Sequence, residues 1–288
     1  MQGLLQLFAG RTHPFVMKID VLTDNNSMIC NMYPEHGLSI LLQANSHQIL
    51  LDTGPSGKFM QHAALMNLDL EAVDFAFVSH GHNDHSGGLF PLLEKYSGVQ
   101  IIAANGALST PFYSNRNGRK NISTQNDFSR YKHQFIPDFS SLKKYGITIL
   151  STEKTTFATP KANATLTKVT NEGEMPDDFA HELILAVEEN GKLLVFTGCA
   201  HKGILNILTT VQNHFGKQPN IAIGGFHLPD GDFETEQEIQ ELALQLKTQF
   251  PSTRLLTGHC TGEKAFAILQ RELGSQLQLF YTGLSINL

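Results

Sequence analysis

The stretch that decides the reading is "AFVSHGHNDHSGGLF", residues 76–90. His80, His82 and His85 put three of the chain's 13 histidines within six residues, with Asp84 between them. They follow an apolar run that reads as a buried strand. Side chains alternate faces along a strand, so an extended 79–82 run aims His80 and His82 the same way. Asp84 and His85 fall on the turn leading into a helix and approach that point from another direction. Neutral imidazoles with a carboxylate suit zinc, iron or manganese. Four ligands in six residues cannot all reach one ion at good geometry. The natural reading is two adjacent ions, His80 and His82 on one, Asp84 and His85 on the other. Gly81 leaves room between the histidines, and Gly87–Gly88 permits a tight reversal before the helix.

Working outward, the chain before this stretch reads as strands over 18–24, 38–44 and 47–54 and a helix over 57–68. After it come a helix that Gly98 stops and a strand, "VQIIAA". From about 104 to 146 the sequence turns rich in Asn, Ser, Gly and Arg without clean periodicity, which reads as a long insertion or lid. Strands resume at "GITILST", "TTFAT" and "ATLTKVT", followed by a hairpin turning at Asn190–Gly191. Three helical patterns alternate with "PNIAIGGFHL" and "RLLTGHCTG", with Thr235 a plausible N-cap. Strand and helix alternate twice over, as in a layered α/β domain. We read 1–16 as an N-terminal extension and 17–288 as a single domain carrying the 104–146 insertion.

Composition narrows the function classes. The formal net charge is −6, so nothing points to nucleic acid held by bulk charge. Three cysteines, Cys30, Cys199 and Cys260, show no paired spacing, which fits a reducing, cytoplasmic compartment. No apolar run approaches the roughly 20 residues of a membrane span. Phosphate-loop and dinucleotide-binding glycine patterns are absent.

"HGHNDH" resembles the H-x-H-x-D-H signature of the metallo-β-lactamase superfamily, and "ILLDTG" resembles its first motif. With "GLSILL", "FTGCAHKGILNI", "IGGFHL" and "TGHCTGEKA", the pattern is similar to one branch, labelled dihydropterin-ribofuranosylaminobenzene-phosphate synthase-like. The resemblance covers roughly 17–270 and implies an αββα sandwich, two β-sheets face to face with helices outside and metals at the sheet edge. It implies that Asp52 stands behind the site and orients a ligand histidine, and that His259 is the last ligand. Most relatives carry a bridging aspartate after "FTG"; here either Cys199 replaces it or His201 supplies a third imidazole, and we favour His201. His181 lies near where many relatives place a third histidine and is a rival. His227 sits in a loop that in some phosphodiesterase relatives carries a histidine that helps the leaving group or holds phosphate.

The resemblance therefore implies two divalent metal ions, zinc first with iron or manganese accommodated, and a hydrolase of a small anionic ester, lactone or phosphodiester. Catalytic roles are expected for Asp84 and His227. The insertion carries Arg116, Arg119 and Arg130, which could hold an anionic small-molecule substrate. The alternatives are an iron-dependent oxidoreductase of the same fold and a pterin-precursor synthase.

Overall fold

A computed structural model describes residues 17–288; the extension read over 1–16 lies outside the described residues. Two six-stranded sheets face each other. The first runs β16 (Ser285–Asn287), β1 (Lys18–Thr23), β2 (Ser39–Ala44), β3 (His47–Leu51), β4 (Phe75–Phe77), β5 (Gln100–Ile102). The second runs β15 (Leu277–Leu279), β14 (Arg254–Thr257), β13 (Ile221–Ile223), β12 (Lys192–Thr197), β11 (Ile184–Glu189), β8 (Ile147–Leu150). Helices α1 (Lys58–Leu65) and α3 (Leu89–Lys95) cover the first sheet. Helices α4 (Ile204–Phe215), α5 (Glu236–Gln249) and α6 (Glu263–Leu273) cover the second. A short turn of helix, α2 (Asn83–Ser86), holds the middle of the histidine motif.

The four layers follow from strands that are apolar on both faces. In β2, Ile40 and Leu42 enter the core between the sheets, while Leu41 faces the outer helices. In β12, Leu194 and Phe196 point inward and Leu193 and Val195 outward. A strand buried on both sides needs a sheet on one face and helices on the other. Each fully buried aliphatic or aromatic side chain contributes about 1.5–3 kcal/mol, so a charge at Leu194 or Phe196 would split the inter-sheet core. The hairpin at Asn190–Gly191 has both residues at positive φ, as a tight two-residue turn requires. Thr235 caps α5 in a full capping box with Glu238.

Two expectations need correction. The 104–146 segment is not irregular throughout. It supplies β6 (Phe112–Ser114) and β7 (Lys120–Asn121), which join β9 (Leu166–Thr170) and β10 (Gly173–Pro176) in a separate four-stranded sheet. "TTFAT" is not a strand, because the Asn206 side chain takes its backbone: Oδ1 accepts from Thr156 and Phe157 N–H, both at 2.8 Å, and Nδ2 donates to the Phe157 carbonyl. Those groups are satisfied by α4, so no ladder forms.

The motif glycines act by close approach. A Cβ at Gly81 would lie 2.2 Å from the Ala107 carbonyl oxygen, so that residue leaves room for the insertion. Gly88 has an ordinary negative φ, and a Cβ there would lie 2.2 Å from the Thr53 carbonyl oxygen.

Parallel pairing brings one set of strand ends together. β3 and β4 pair in parallel, as do β12, β13 and β14. Their carboxyl ends lead directly into Asp52, His80, Cys199, His227 and His259. Open α/β sheets generally place ligands at this edge. Asp52, Ala200, His227 and His259 all have φ between 48° and 56°, the left-handed region that non-glycine residues rarely occupy.

Candidate metal centre

Two triads of donor atoms converge at this edge. In the first, centred on His80, Nε2 lies 3.1 Å from His82 Nδ1 and 3.3 Å from His201 Nε2, and His80 and His201 form a close donor group with Cys199. In the second, His85 Nε2 lies 3.0 Å from His259 Nε2, and Asp84 Oδ2 is 3.4 Å from His259 Nε2 and 3.9 Å from His85 Nε2. The Cys199 sulfur is 3.1 Å from His85 Nε2 and groups with donors of both triads. All these residues are buried except Asp84, which is half-buried.

The far side of each ring decides what the near side offers. His85 Nδ1 donates to Asp52 Oδ2 at 2.6 Å. Ser79 Oγ spends its proton on Asp52 Oδ2 (2.6 Å) and so accepts from His80 Nδ1 at 2.9 Å. His201 Nδ1 meets Asn163 Oδ1 at 3.0 Å, with the Asn163 amide oriented by its own bond to the His201 carbonyl. His259 Nδ1 meets Asn25 Oδ1 at 3.0 Å. His82 turns Nε2 toward Asp177 Oδ2, 3.7 Å away. The outer nitrogens of His80, His85, His201 and His259 therefore carry a proton, and in the neutral rings the inner nitrogens present lone pairs; the outer nitrogen of His82 makes no hydrogen bond among the described residues.

Lone pairs facing each other at 3.0–3.3 Å repel unless a cation lies between them. Around a tetrahedral zinc, with bonds of about 2.0–2.1 Å, neighbouring nitrogens lie about 3.3 Å apart. The donor set fits a divalent ion at each triad, and outer partners of this kind fix the tautomer of a metal-binding imidazole.

Charge differs between the triads. Burial and the neighbouring imidazoles hold His80 and His201 well below the ordinary histidine range. Burial also opposes charge on His259, but the hydrogen-bonded Asp84 carboxylate outweighs it and pushes His259 up to about 9. Burial likewise works against Asp84, yet His85 and His259 hold its carboxyl well below the usual carboxylate range. That shift favours a proton on His259 in the metal-free chain, beside the Asp84 carboxylate.

The other expected residues fall as follows. His201 and Cys199, set against each other in the sequence reading, both face the centre. His181 stands apart from both triads: its Nδ1 accepts the Gly81 N–H at 3.0 Å and its Nε2 meets Asp177 at 3.1 Å, and with His82 and Asp177 it forms a further buried donor group. His227 packs its ring 4.2 Å from that of His201, and both its nitrogens are buried without a hydrogen-bond partner among the described residues. Arg116, Arg119 and Arg130 do not converge on an anion site. Arg119 pairs with Glu174 and Arg130 with Glu94, both in solvent, while Arg116 lies over Phe233. Sequence reading missed Ser79, Asn25, Asn163 and Asp177, and also Glu182, whose carboxylate accepts the His201 and Lys202 N–H groups. Only Ser79, adjoining the motif, offered a signal.

A paired-sheet sandwich with a histidine–aspartate centre split at its edge defines the class of fold, and the metallo-beta-lactamase superfamily is the family whose sequence profile matches, over residues 32–138. The chain is 26% identical over 271 residues to a protein of Methanocaldococcus jannaschii named 7,8-dihydropterin-6-methyl-4-(beta-D-ribofuranosyl)-aminobenzene-5'-phosphate synthase, covering 87% of this chain and 89% of that one. A solved metal-dependent hydrolase of the beta-lactamase superfamily superposes with a TM-score of 0.77 at 26% identity, over 94% of this chain and 99% of the other. The zinc-bound PqqB of Methylobacterium extorquens shares the fold at 14% identity, with a TM-score of 0.52 over 94% and 100% of the two chains. Among the described residues, no helix is long and apolar enough to cross a membrane.

Proposed function

We propose that the protein is a metal-dependent hydrolase of a small anionic ester, lactone or phosphodiester. The observation that carries this is the pair of lone-pair triads, His80, His82 and His201 beside Asp84, His85 and His259, with Cys199 between them. These residues would hold two divalent ions, with zinc the best match to borderline imidazole ligands. When bound, such ions supply Lewis acidity, lowering the pKa of water toward neutrality and polarising a phosphoryl or carbonyl oxygen.

The chain's own residues would do the rest. Asp84, held ionised, can accept a hydrogen bond from the attacking water and aim it. Asp52 and Asn163 keep His85 and His201 in the ligating tautomer. His227 brings an unpartnered imidazole to the flank of His201, where it can donate to a departing oxygen. Burial keeps the centre dry, which strengthens each of these interactions.

A second reading, a synthase of a pterin precursor, is favoured by the 26% identity to the Methanocaldococcus jannaschii protein across most of both chains. One experiment separates the two. Metal content of the purified protein is measured, and the loaded protein is offered p-nitrophenyl phosphodiesters and simple lactones in ¹⁸O-water. We expect two ions per chain and solvent oxygen in the product. Full loading with no hydrolysis, but consumption of an aminobenzoate with a ribose phosphate donor, would favour the synthase. Cys199→Ser sharpens the result: altered binding of both ions would place the sulfur between them.

A further inference from the structure

One amide sits between two histidines and gives them opposite tautomers. Asn25 Oδ1 accepts the Gly37 backbone N–H at 3.2 Å, and Asn25 Nδ2 donates to the His259 carbonyl at 3.0 Å. Those two backbone partners bar a flip of the amide. The oxygen therefore faces His259 Nδ1 at 3.0 Å, and the nitrogen faces His36 Nδ1 at 3.1 Å. His259 must be protonated at Nδ1, which leaves Nε2 pointing into the second triad. His36 must accept at Nδ1, so the proton of its neutral ring is on Nε2.

That proton has a defined place. His36 Nε2 is 3.5 Å from Asp84 Oδ2, and the ring lies 5.3 Å from that of His259. The backbone fixes the approach: Leu38 N–H donates to the Asp84 carbonyl at 3.1 Å, and a Cβ on Gly37 would lie 2.5 Å from that same oxygen. The segment is thus moulded against Asp84, while the His36 side chain itself is 73% exposed at the mouth of the centre. Ligation of an ion through Nε2 would move the proton to Nδ1, against the Asn25 NH₂, a clash of two donors. His36 stands beside the second triad as a donor and not as one of its ligands.

We propose that His36 Nε2–H is a substrate-binding hydrogen-bond donor, gripping an anionic oxygen (phosphoryl or carboxylate) at the open edge of the Asp84, His85 and His259 triad, with Asn25 the positioning residue that sets its tautomer. The inference rests on the anionic-substrate reading above. A fixed donor aimed at an oxyanion adds directional binding without adding to the ligand set.

The test uses the full chain loaded with zinc and inorganic phosphate as the probe, followed by calorimetry, with metal content measured alongside. His36→Ala should keep its zinc and weaken phosphate binding by about tenfold or more. His36→Gln, whose amide NH₂ can reach a similar place, should recover most of that loss. Long-range ¹H–¹⁵N spectra of the zinc-loaded protein near pH 8 should show His36 protonated at Nε2. Phosphate binding unchanged in His36→Ala, or a ring protonated at Nδ1, would overturn the role of His36 and leave the hydrolase reading intact. Loss of zinc in His36→Ala would make His36 a ligand and overturn the inference likewise. Phosphate that fails to bind even the zinc-loaded wild type would sink the anionic-substrate reading, and the inference with it.

Discussion

The two triads differ before any ion arrives. The first is three neutral imidazoles, buried and held below the ordinary histidine range. The second contains a carboxylate, a histidine pushed up to about 9 and an exposed neighbour, His36. A cation entering the first triad meets lone pairs alone. One entering the second meets a carboxylate and must displace a proton. The first half of the centre therefore offers a cation neutral donors, and the second a carboxylate beside a histidine that favours a proton. The comparison can be broken at the residues the halves share and at those they do not.

The largest effect should come from Asp52. Its Oδ2 accepts from both His85 and Ser79, and Ser79 in turn accepts from His80. One buried carboxylate thus orients a donor histidine in each triad. In Asp52→Ala, zinc affinity should fall at both positions by at least about 10–100-fold, read by competition with a chelator. Loss at a single position would show that the triads are pinned independently.

Selective loss is instead the expectation for the two asparagines. Asn163→Ala frees His201 and should weaken the first position, and Asn25→Ala frees His259 and should weaken the second, each by about tenfold. Stepwise metal titration of the two variants would show complementary phases. If both variants lost the same phase, Cys199 would couple the halves more strongly than their outer partners separate them.

These outer residues also mark the limit of what the sequence shows. His80, His82, Asp84 and His85 were legible because a strand end and the turn after it confine them locally. The sheet-alternating strands β2 and β12 were legible because both faces are apolar. Asn163 lies 38 residues from His201 and Asn25 lies 234 from His259. No local pattern connects residues that meet only when two sheet edges close on each other. β10 escaped notice because it is largely exposed and has no apolar face, and "TTFAT" misled because a β-branched run can be tied down by one side chain, Asn206, as readily as by a neighbouring strand.

Acidity should affect the halves in opposite directions. His80 and His201 have folded values well below the ordinary 6.5, so the stability they contribute is fully present above 6.5 and is lost as pH falls from there through their folded values. His259 is raised to about 9, so its contribution is complete below 6.5 and disappears as pH rises through 9. Asp24, raised to about 6 chiefly by burial, blunts the acid limb. Cys260, whose thiol burial pushes up but His259 and its neighbours hold well below the usual range, has the opposite slope over this window. Thermal melts of metal-free Cys260→Ser should therefore fall between pH 6.5 and 9, and bound zinc should flatten that limb by replacing the proton on His259. Metal-free stability that rises steadily over this range would mean the second triad carries no such proton.

The smallest effect should come from the insertion's arginines. In sequence they suggest an anion-binding lid, yet Arg119 bonds Glu174 and stacks over Tyr113 at 3.5 Å, and Arg130 bonds Glu94 and lies over Phe90. A guanidinium already committed to a carboxylate in solvent has little left for a substrate, and exposed pairs of this kind contribute little to stability. Arg119→Gln and Arg130→Gln should leave metal content unchanged and phosphate affinity within about twofold of the wild type. Arg116 has a different neighbour, the ring of Phe233, 5.1 Å away in the loop that follows His227. A larger loss in Arg116→Gln than in the other two would put anion recognition on the His227 side of the centre, across from His36. Equal and negligible losses in all three would leave His36 and the metal ligands as the groups that meet the substrate's charge.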